Sequence, residues 1–593
     1  MKKSLNEIIQ RAWNEPRHFF FWLALLSLGG LIGSLVLGNA VLSQPNVPLA
    51  FAALGCALCF LVSLPAFVLA WIPPVRRGLA GLLRYRFFVA LCLATLVVLF
   101  YAIENWRGRR AWLEFKRTEE ARGERFDLSA FVPPSVPADQ NFFESPLWTD
   151  LRQVQTNRTG GGDDRLSGQR TILDIYGPEG RAAPSCGGWQ EATPVDLAAW
   201  QAFYRGSNNL FTAANGASTN YFPVAASPQS PAKDVLLALS RFEPNRRILI
   251  QTAQRPHGRF WVNYDAGIAA LLPHLARMRG CATYLSLHAT AALKAGDRQT
   301  ALEDIRALLR ITEYLQQEPF LISHLVRAAM VPIALQPVWE GLKDRQWTEA
   351  DLVGLGEELG KLDFLADYHF AMRGERALGL WTIEYARKAG CWQRLFSEGV
   401  PGGESAEPAP WEKSLGGTLF HLVPSGWFDQ NKYAIGQLYR DCLLVTVDPK
   451  SRLVRPETVT QFTSLMERRL SRRNPYNIFS NLLLPAMAGI ARKDAQLQSY
   501  VDQARVACAL ERHRLANGRY PETLAALAPR SLDSVPHDLI NGQPLRYRLV
   551  SEDQFLLYSV GWNGTDEGGT IELSKSGRAD ATKGDWVWRY PSH

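Results

Sequence analysis

Between residues 19 and 103 the chain carries three apolar runs without a single charge in any of them, and few soluble folds could bury so much. Residues 19–42 (FFFWLALLSLGGLIGSLVLGNAVL) run for 24 positions, residues 49–72 for as many, and residues 87–103 for 17, flanked by Tyr85 and Trp106. A helix needs about 20 apolar residues to cross the hydrocarbon core. In lipid the backbone must pair within its own segment, so each run is predicted as a spanning helix. A cleaved signal peptide is the competing reading of the first run. It fits poorly, because the run is too long, no A-x-A-like site follows and two further spans come behind.

Charge around these runs predicts their orientation. Lys2, Lys3, Arg11 and Arg17 precede the first span, the link 43–48 is uncharged, and Arg76, Arg77, Arg84 and Arg86 occupy the second link. Lys/Arg excess marks the cytoplasmic side. The expectation is a membrane protein with a cytoplasmic N-terminus and a large C-terminal region on the opposite side. Arg107, Arg109, Arg110, Lys116 and Arg117 run against this, although long domains translocate largely regardless of charge. Residues 1–103 hold eight Lys/Arg against Glu7 and Glu15, which is +6 of the whole chain's +8. The other 490 residues are thus nearly neutral, and nucleic acid is not expected as a partner. The lipid bilayer and envelope proteins are.

Four regions are expected: a transmembrane anchor over 1–105, a juxtamembrane helix with a Pro-rich strap and loops over 106–231, an α-helical hairpin domain over 232–480, and an α+β domain over 481–593. The fold class is therefore membrane α with three spans, a mostly helical soluble region and a small C-terminal sheet. Residues 132–146 (VPPSVPADQNFFESP) favour an extended strap, and Arg259-Phe-Trp-Val-Asn-Tyr264 is expected to anchor the helical domain to it. Thr193 is the expected cap of a helix through Leu197, Trp200 and Tyr204. Residues 266–279 and 281–295 are predicted as separate helices, with Gly296-Asp297 turning into a helix over 299–317. That last hairpin resembles one tetratricopeptide repeat, without the 34-residue period of a solenoid. Residues 348–362, capped by Thr348 with Asp351, and 365–390 continue the helices. Residues 492–517 form an amphipathic helix, and 546–550 and 555–560 alternate like an antiparallel pair.

Chemistry is sparse. Metalloprotease, nucleophile-elbow, phosphate-loop and zinc patterns are all missing. Cys186, Cys281, Cys391, Cys442 and Cys508 are too widely spaced for a disulfide framework. Cys56 and Cys59 have redox-motif spacing, but as part of a span they are small apolar filler. The best enzymatic candidate is the helix bearing Asp363, Asp367, His369 and Glu375, since Asp363 and Asp367 lie one turn apart and paired carboxylates do acid/base work. The alternative is ion pairing with Arg373, Arg376 or the helix bearing His324 and Arg327. His274, His288 and His324 on apolar helices are expected as hydrogen-bonded core residues.

Residues 509–521 (ALERHRLANGRYP), Val535-Pro536-His-Asp538, Gly542-Gln-Pro-Leu-Arg-Tyr547, Leu557-Tyr-Ser-Val-Gly561, Asn563-Gly-Thr-Asp-Glu-Gly-Gly569 and Gly584-Asp-Trp586 occur in a recognisable order. Over about 90 residues this resembles the globular part of type II secretion major pseudopilins, in which a helix leads to N-G-x-Y-P, a strand and a glycine-rich loop. The resemblance implies a Ca²⁺ site at Asp566, with Asp580 and Asp585 as further ligands, because oxygen donors on a turn suit that ion. Asn563 stands where the family has Asp, and the N-terminal processing signature of a pilus subunit does not precede the domain. More broadly, Trp112 to Lys116, Val132 to Phe142, Leu321 to Arg327 and Arg373 to Ala377 resemble segments of large multi-pass bacterial envelope proteins, a likeness that implies no activity. The functional expectation is a membrane-anchored scaffold or interaction protein, possible roles being secretion or envelope assembly; the alternative is a membrane-bound hydrolase with a carboxylate-centred site in the helical domain.

Overall fold

A computed structural model describes residues 19–28, 64, 86–156, 172–177, 183–206, 209–212, 218–389, 423–470, 474–575 and 577–590. In chain order the helices are α1 Arg86–Ala121, α2 Thr149–Thr156, α3 Leu197–Arg205, α4 Pro231–Leu239, α5 Glu243–Thr252, α6 Pro273–Lys294, α7 Arg298–Glu313 and α8 Leu321–Lys343. They continue as α9 Glu349–Gly360, α10 Phe364–Ala389, α11 Ser425–Leu438, α12 Pro456–Leu470, α13 Ile478–Leu483 and α14 Ile490–Asn517. The strands are β1 Leu210–Thr212, β2 Ser218–Asn220, β3 Val447–Asp448, β4 Leu453–Val454, β5 Arg546–Ser551, β6 Gln554–Ser559 and β7 Trp586–Trp588. The described chain is thus mostly helical, with two small hairpins and one three-stranded sheet.

Two described helices are long and apolar enough to cross a membrane, where three were expected. They are residues Phe88–Ala121 within α1 and Leu321–Lys343, which is α8. In α1 only 6% of the most apolar window is buried, against 61% in α8. Leu96, Val97, Val98, Leu99 and Phe100 are five consecutive positions, at 100° per residue, and all are exposed. An apolar helix with no polar face suits hydrocarbon. By contrast α8 is a core helix. The first expected span is described only as the short apolar helix Phe19–Leu28. The second, with Cys56 and Cys59, lies outside the described residues. So do the predicted loops at 157–168 and 399–410.

The chain divides into two compact units, Met1–Arg122 with Thr382–Tyr433, and Gly123–Trp381 with Ala434–His593. In the first unit the segment opening α11 crosses α1 backbone to backbone. A Cβ on Gly108 would overlap the Gly426 carbonyl, and one on Gly426 would overlap the Glu104 carbonyl. Gly426 N–H donates to Asn105 Oδ1 at 2.9 Å, and Trp427 Nε1–H to Glu104 Oε2 at 2.9 Å. Of the juxtamembrane charges, Arg107 pairs with Glu104 at 3.1 Å and Lys116 with Glu120 at 3.6 Å.

The second unit is built on the α6–α7 hairpin, with α8 packed against both. Residues 273–294 form one helix, not two, because Gly280 interrupts neither the backbone ladder nor the burial; Tyr264–Ala269 ahead of it is a 3-10 turn. The hairpin turns as predicted. Gly296 takes φ +87, Asp297 N–H reaches back to Ala292 O at 2.9 Å, and the Asp297 carboxylate accepts from Thr300 N–H at 3.1 Å. Pro337 inside α8 cannot donate to Ile333 O, and the Ser286 hydroxyl donates there instead at 2.8 Å. The Thr348/Asp351 capping box forms. Helix α3 starts later than expected, because Asp196 rather than Thr193 accepts from the first turn, through Ala199 N–H at 2.9 Å. The strap is held as expected. Asn141 accepts from Arg259 N–H at 2.8 Å and donates to its carbonyl at 2.9 Å, and Trp261 Nε1–H reaches Glu144 at 2.9 Å.

Helix α14 departs most from expectation. It packs along α9 and α8 on one side and against β7 on another. Its polar residues beside Leu497 and Val501 are buried as well: Asp494, Gln498, Asp502 and Gln503 are all fully enclosed. Gln498 accepts from Phe364 N–H at 2.8 Å, Asp502 pairs with Arg452 at 2.8 Å, and Gln503 donates to Trp586 O at 2.8 Å. The sheet is antiparallel in the order β5-β6-β7, with Arg546 opposite Tyr558 and Tyr558 opposite Val587.

Candidate functional site

The charges expected to gather on α10 separate. Asp363 caps the helix, accepting from Leu365 and Ala366 N–H at 3.1 Å each. Asp367 turns inward, where Arg327 of α8 forms a close ion pair with one oxygen and Gln316 donates to the other at 2.8 Å. Arg327 also stacks on Phe364 at 4.5 Å. His324 pairs with Asp494 of α14 at 2.8 Å, and Asp494 also feels the charges of Asp367 and Arg327. His369 meets Val447 O through Nε2 at 2.7 Å and faces Arg373 through Nδ1 at 3.3 Å, and burial holds its pKa below the ordinary value. Arg373 and Arg376 converge on Glu124 at 2.8 and 2.6 Å. Burial alone would raise the Glu124 pKa, but the two guanidiniums outweigh it and hold the carboxyl below its usual range. These are interlocked, largely buried pairs. His274–Glu318 at 2.8 Å and His288–Asp304 at 2.6 Å are of the same kind.

Glu375 is the exception. It lines a cavity of about 320 Å³ together with Ile268, Leu272, Phe320, Ile322, Leu325 and Leu378. Three local features build it. The 3-10 turn Tyr264–Ala269 needs Gly267 at φ +55, with the Trp381 ring lying where a Cβ would project. Gly374 lets α10 approach Pro319, whose carbonyl a side chain there would strike. That approach sets the first turn of α8 over α10, so that Leu321 N–H donates to Glu375 Oε2 at 3.2 Å. Tyr264 stacks on Phe320 at 5.6 Å and closes one wall. Burial raises the Glu375 pKa above its ordinary value, against the smaller opposing effect of the Leu321 amide. Among the described residues that line the cavity, Glu375 is the one titratable group.

The residues of the glycine-rich loop are placed as follows. Asp566 accepts from Tyr558 OH at 3.0 Å and Gly568 N–H at 3.1 Å, and Arg546 pairs with its second oxygen at 3.1 Å. Asp585, nearly enclosed, gathers the Glu567, Gly569 and Thr570 amides at 3.4, 2.7 and 3.2 Å. Asp580 caps a separate turn through Thr582, whose hydroxyl and amide are at 2.7 and 2.8 Å. Ca²⁺ takes six to eight oxygens. Here a guanidinium already neutralises Asp566, and among the described residues no group of three or more His, Cys, Asp or Glu is arranged to hold a metal. Each of the three aspartates is thus engaged by donors of the protein itself. Sequence reasoning gave no role of its own to Asp538, which accepts from Val560 N–H at 2.9 Å and Ile540 N–H at 2.9 Å and ties the end of β6 to the preceding turn. It also missed the cavity, whose only sequence signal is Gly374-Glu375 inside an apolar helix face. Comparison with protein families, curated proteins and solved structures finds no match to this chain.

Proposed function

We propose that this chain is a membrane-anchored envelope protein that acts by binding rather than by catalysis. The observation that carries the reading is the apolar half of α1, exposed on every side. Its 17 uncharged residues make about 26 Å of helix, close to the ~30 Å hydrocarbon core. The concentration of Lys/Arg before residue 87 supports a cytoplasmic N-terminus and a periplasmic C-terminal region, with the uncharged runs 19–42 and 49–72 as two further spans. Binding rather than catalysis is supported by the α10 charges, which are engaged with one another. The succession of helix α14, Tyr520-Pro521, the β5–β6 hairpin and the loop to β7 supports a pseudopilin-type module for protein contacts, of the kind used in secretion or envelope assembly.

Alkaline carbonate washing of membranes, followed by protease treatment of spheroplasts carrying a C-terminal tag, tests the reading. Retention in the carbonate pellet with loss of the tag is the expected result. Release by carbonate would overturn the anchor, and a protected tag would reverse the topology.

A further inference from the structure

The Glu375 cavity carries an inference that stands apart from the membrane reading. Glu375 Oε2 has the Leu321 amide, while Oε1 meets no donor among the described residues. The arginines on the surrounding elements are already paired: Arg373 and Arg376 with Glu124, Arg327 with Asp367. The remaining walls are aliphatic or aromatic. Ile268 and Ile322 remain 40% and 51% exposed, so the cavity is open to the outside between them. Its volume lies at the lower end of the ~300–1,000 Å³ typical of small-molecule sites.

The geometry points to a binding site for a small apolar primary ammonium ion, its hydrocarbon body filling the cavity and its N–H donating to Glu375 Oε1. Charge complementarity selects this class. An apolar alcohol would fill the same space without neutralising the carboxylate, and an apolar acid would bring a second negative charge against it. Burying a carboxylate without a partner is costly, and a cationic ligand supplies the partner that the fold omits. The raised pKa of Glu375 accords with an acid waiting for a counter-ion.

The test uses the full chain in nanodiscs of zwitterionic lipid, with hexylammonium, hexanol and hexanoate as probes and calorimetric titration as readout. Empty nanodiscs correct for partitioning into lipid. The expected order of affinity is hexylammonium, then hexanol, with hexanoate weakest. Glu375→Gln is expected to lower hexylammonium affinity about 30-fold, the equivalent of losing one buried charged partner, while leaving hexanol within about threefold. Ile322→Trp, which narrows the mouth, is expected to weaken both. Hexanol binding as tightly as hexylammonium to the wild type, hexanoate binding as well as either, or no binding of any probe would overturn the proposal. So would an unchanged hexylammonium affinity in a folded Glu375→Gln protein. The order of the three probes on the wild type decides the matter even if that variant does not fold.

Discussion

Glu124, the second residue of the second unit, holds two arginines at once. Arg376 is almost fully enclosed, and its guanidinium also lies over Phe126 at 4.3 Å. Glu124→Gln would leave that buried cation without a counter-charge. Arg373 is a third exposed and solvent relieves part of the loss, so the expected cost is roughly 2–3 kcal/mol, read as a fall in the denaturation midpoint. Because the Glu124 carboxyl is held below its ordinary value of 4.5, its contribution is present above that pH and disappears as acid titrates the folded carboxyl. Wild type and variant should therefore converge in acid. Glu375 behaves in the opposite sense. Its folded pKa is raised, so its ionisation destabilises the fold as pH rises through and beyond 4.5. Glu375→Gln is expected to melt above the wild type at neutral pH and to lose that advantage in acid. At the glycine-rich loop, calcium chloride at constant ionic strength is expected to leave the melting temperature of the full chain unchanged. A rise that Asp585→Asn abolishes would place the ion there. The Thr348/Asp351 capping box, the Gly296-Asp297 turn and the three core histidines were legible, because such caps and apolar helix faces are local patterns, but the cap of α3 lies three residues beyond the expected Thr193. The pairing of Asp367 with the helix bearing Arg327 was legible too, whereas the partners of Arg373 and Asp494 were not, since they lie 249 and 170 residues away in the chain.

Among elements, α14 shows best where periodicity misleads. Asp494, Gln498 and Asp502 recur every four residues and look like a solvated stripe. A polar stripe is soluble, but it also matches another polar surface, and α8, α10 and the 447–455 hairpin supply one. Hydrophobic pattern alone cannot tell the two apart. The α1–α11 crossing is similar: glycines at 108 and 426 are 318 positions apart, and nothing local pairs them. Gly426→Ala is expected to destabilise the first unit by about 2 kcal/mol or more, because the new Cβ meets backbone that no rotamer change can move. Gly356→Ala on α9 makes the contrast. Nothing lies within 4 Å of its would-be Cβ, so the variant should match or exceed wild-type stability by up to about 1 kcal/mol. Thermal melts of the two variants side by side check both.

At the scale of the whole molecule, the apolar helix that opens α1 and the helical character of the rest are legible in the sequence, since both follow from composition within a window. The boundary expected near residue 480 does not separate two cores, because α14 belongs to the helical core and to the sheet alike. A fragment of residues 481–593 is therefore expected to show no cooperative melt by circular dichroism, with Asp494, Asp502 and a wide apolar surface bared to water. A sharp transition in that fragment would restore the independent domain.

The late position of α14 also sets a timetable for synthesis. Chains emerge N-terminus first and domains fold as their residues become available. When α6 to α10 have left the ribosome, His324, the Phe364 amide and the apolar side of α9 still lack the helix that covers them, and that helix is followed by a sheet whose last strand ends at Trp588. A truncated or stalled product thus presents a bare seam along its middle, which makes intact translation of the last hundred residues a condition for the earlier ones to keep their shape.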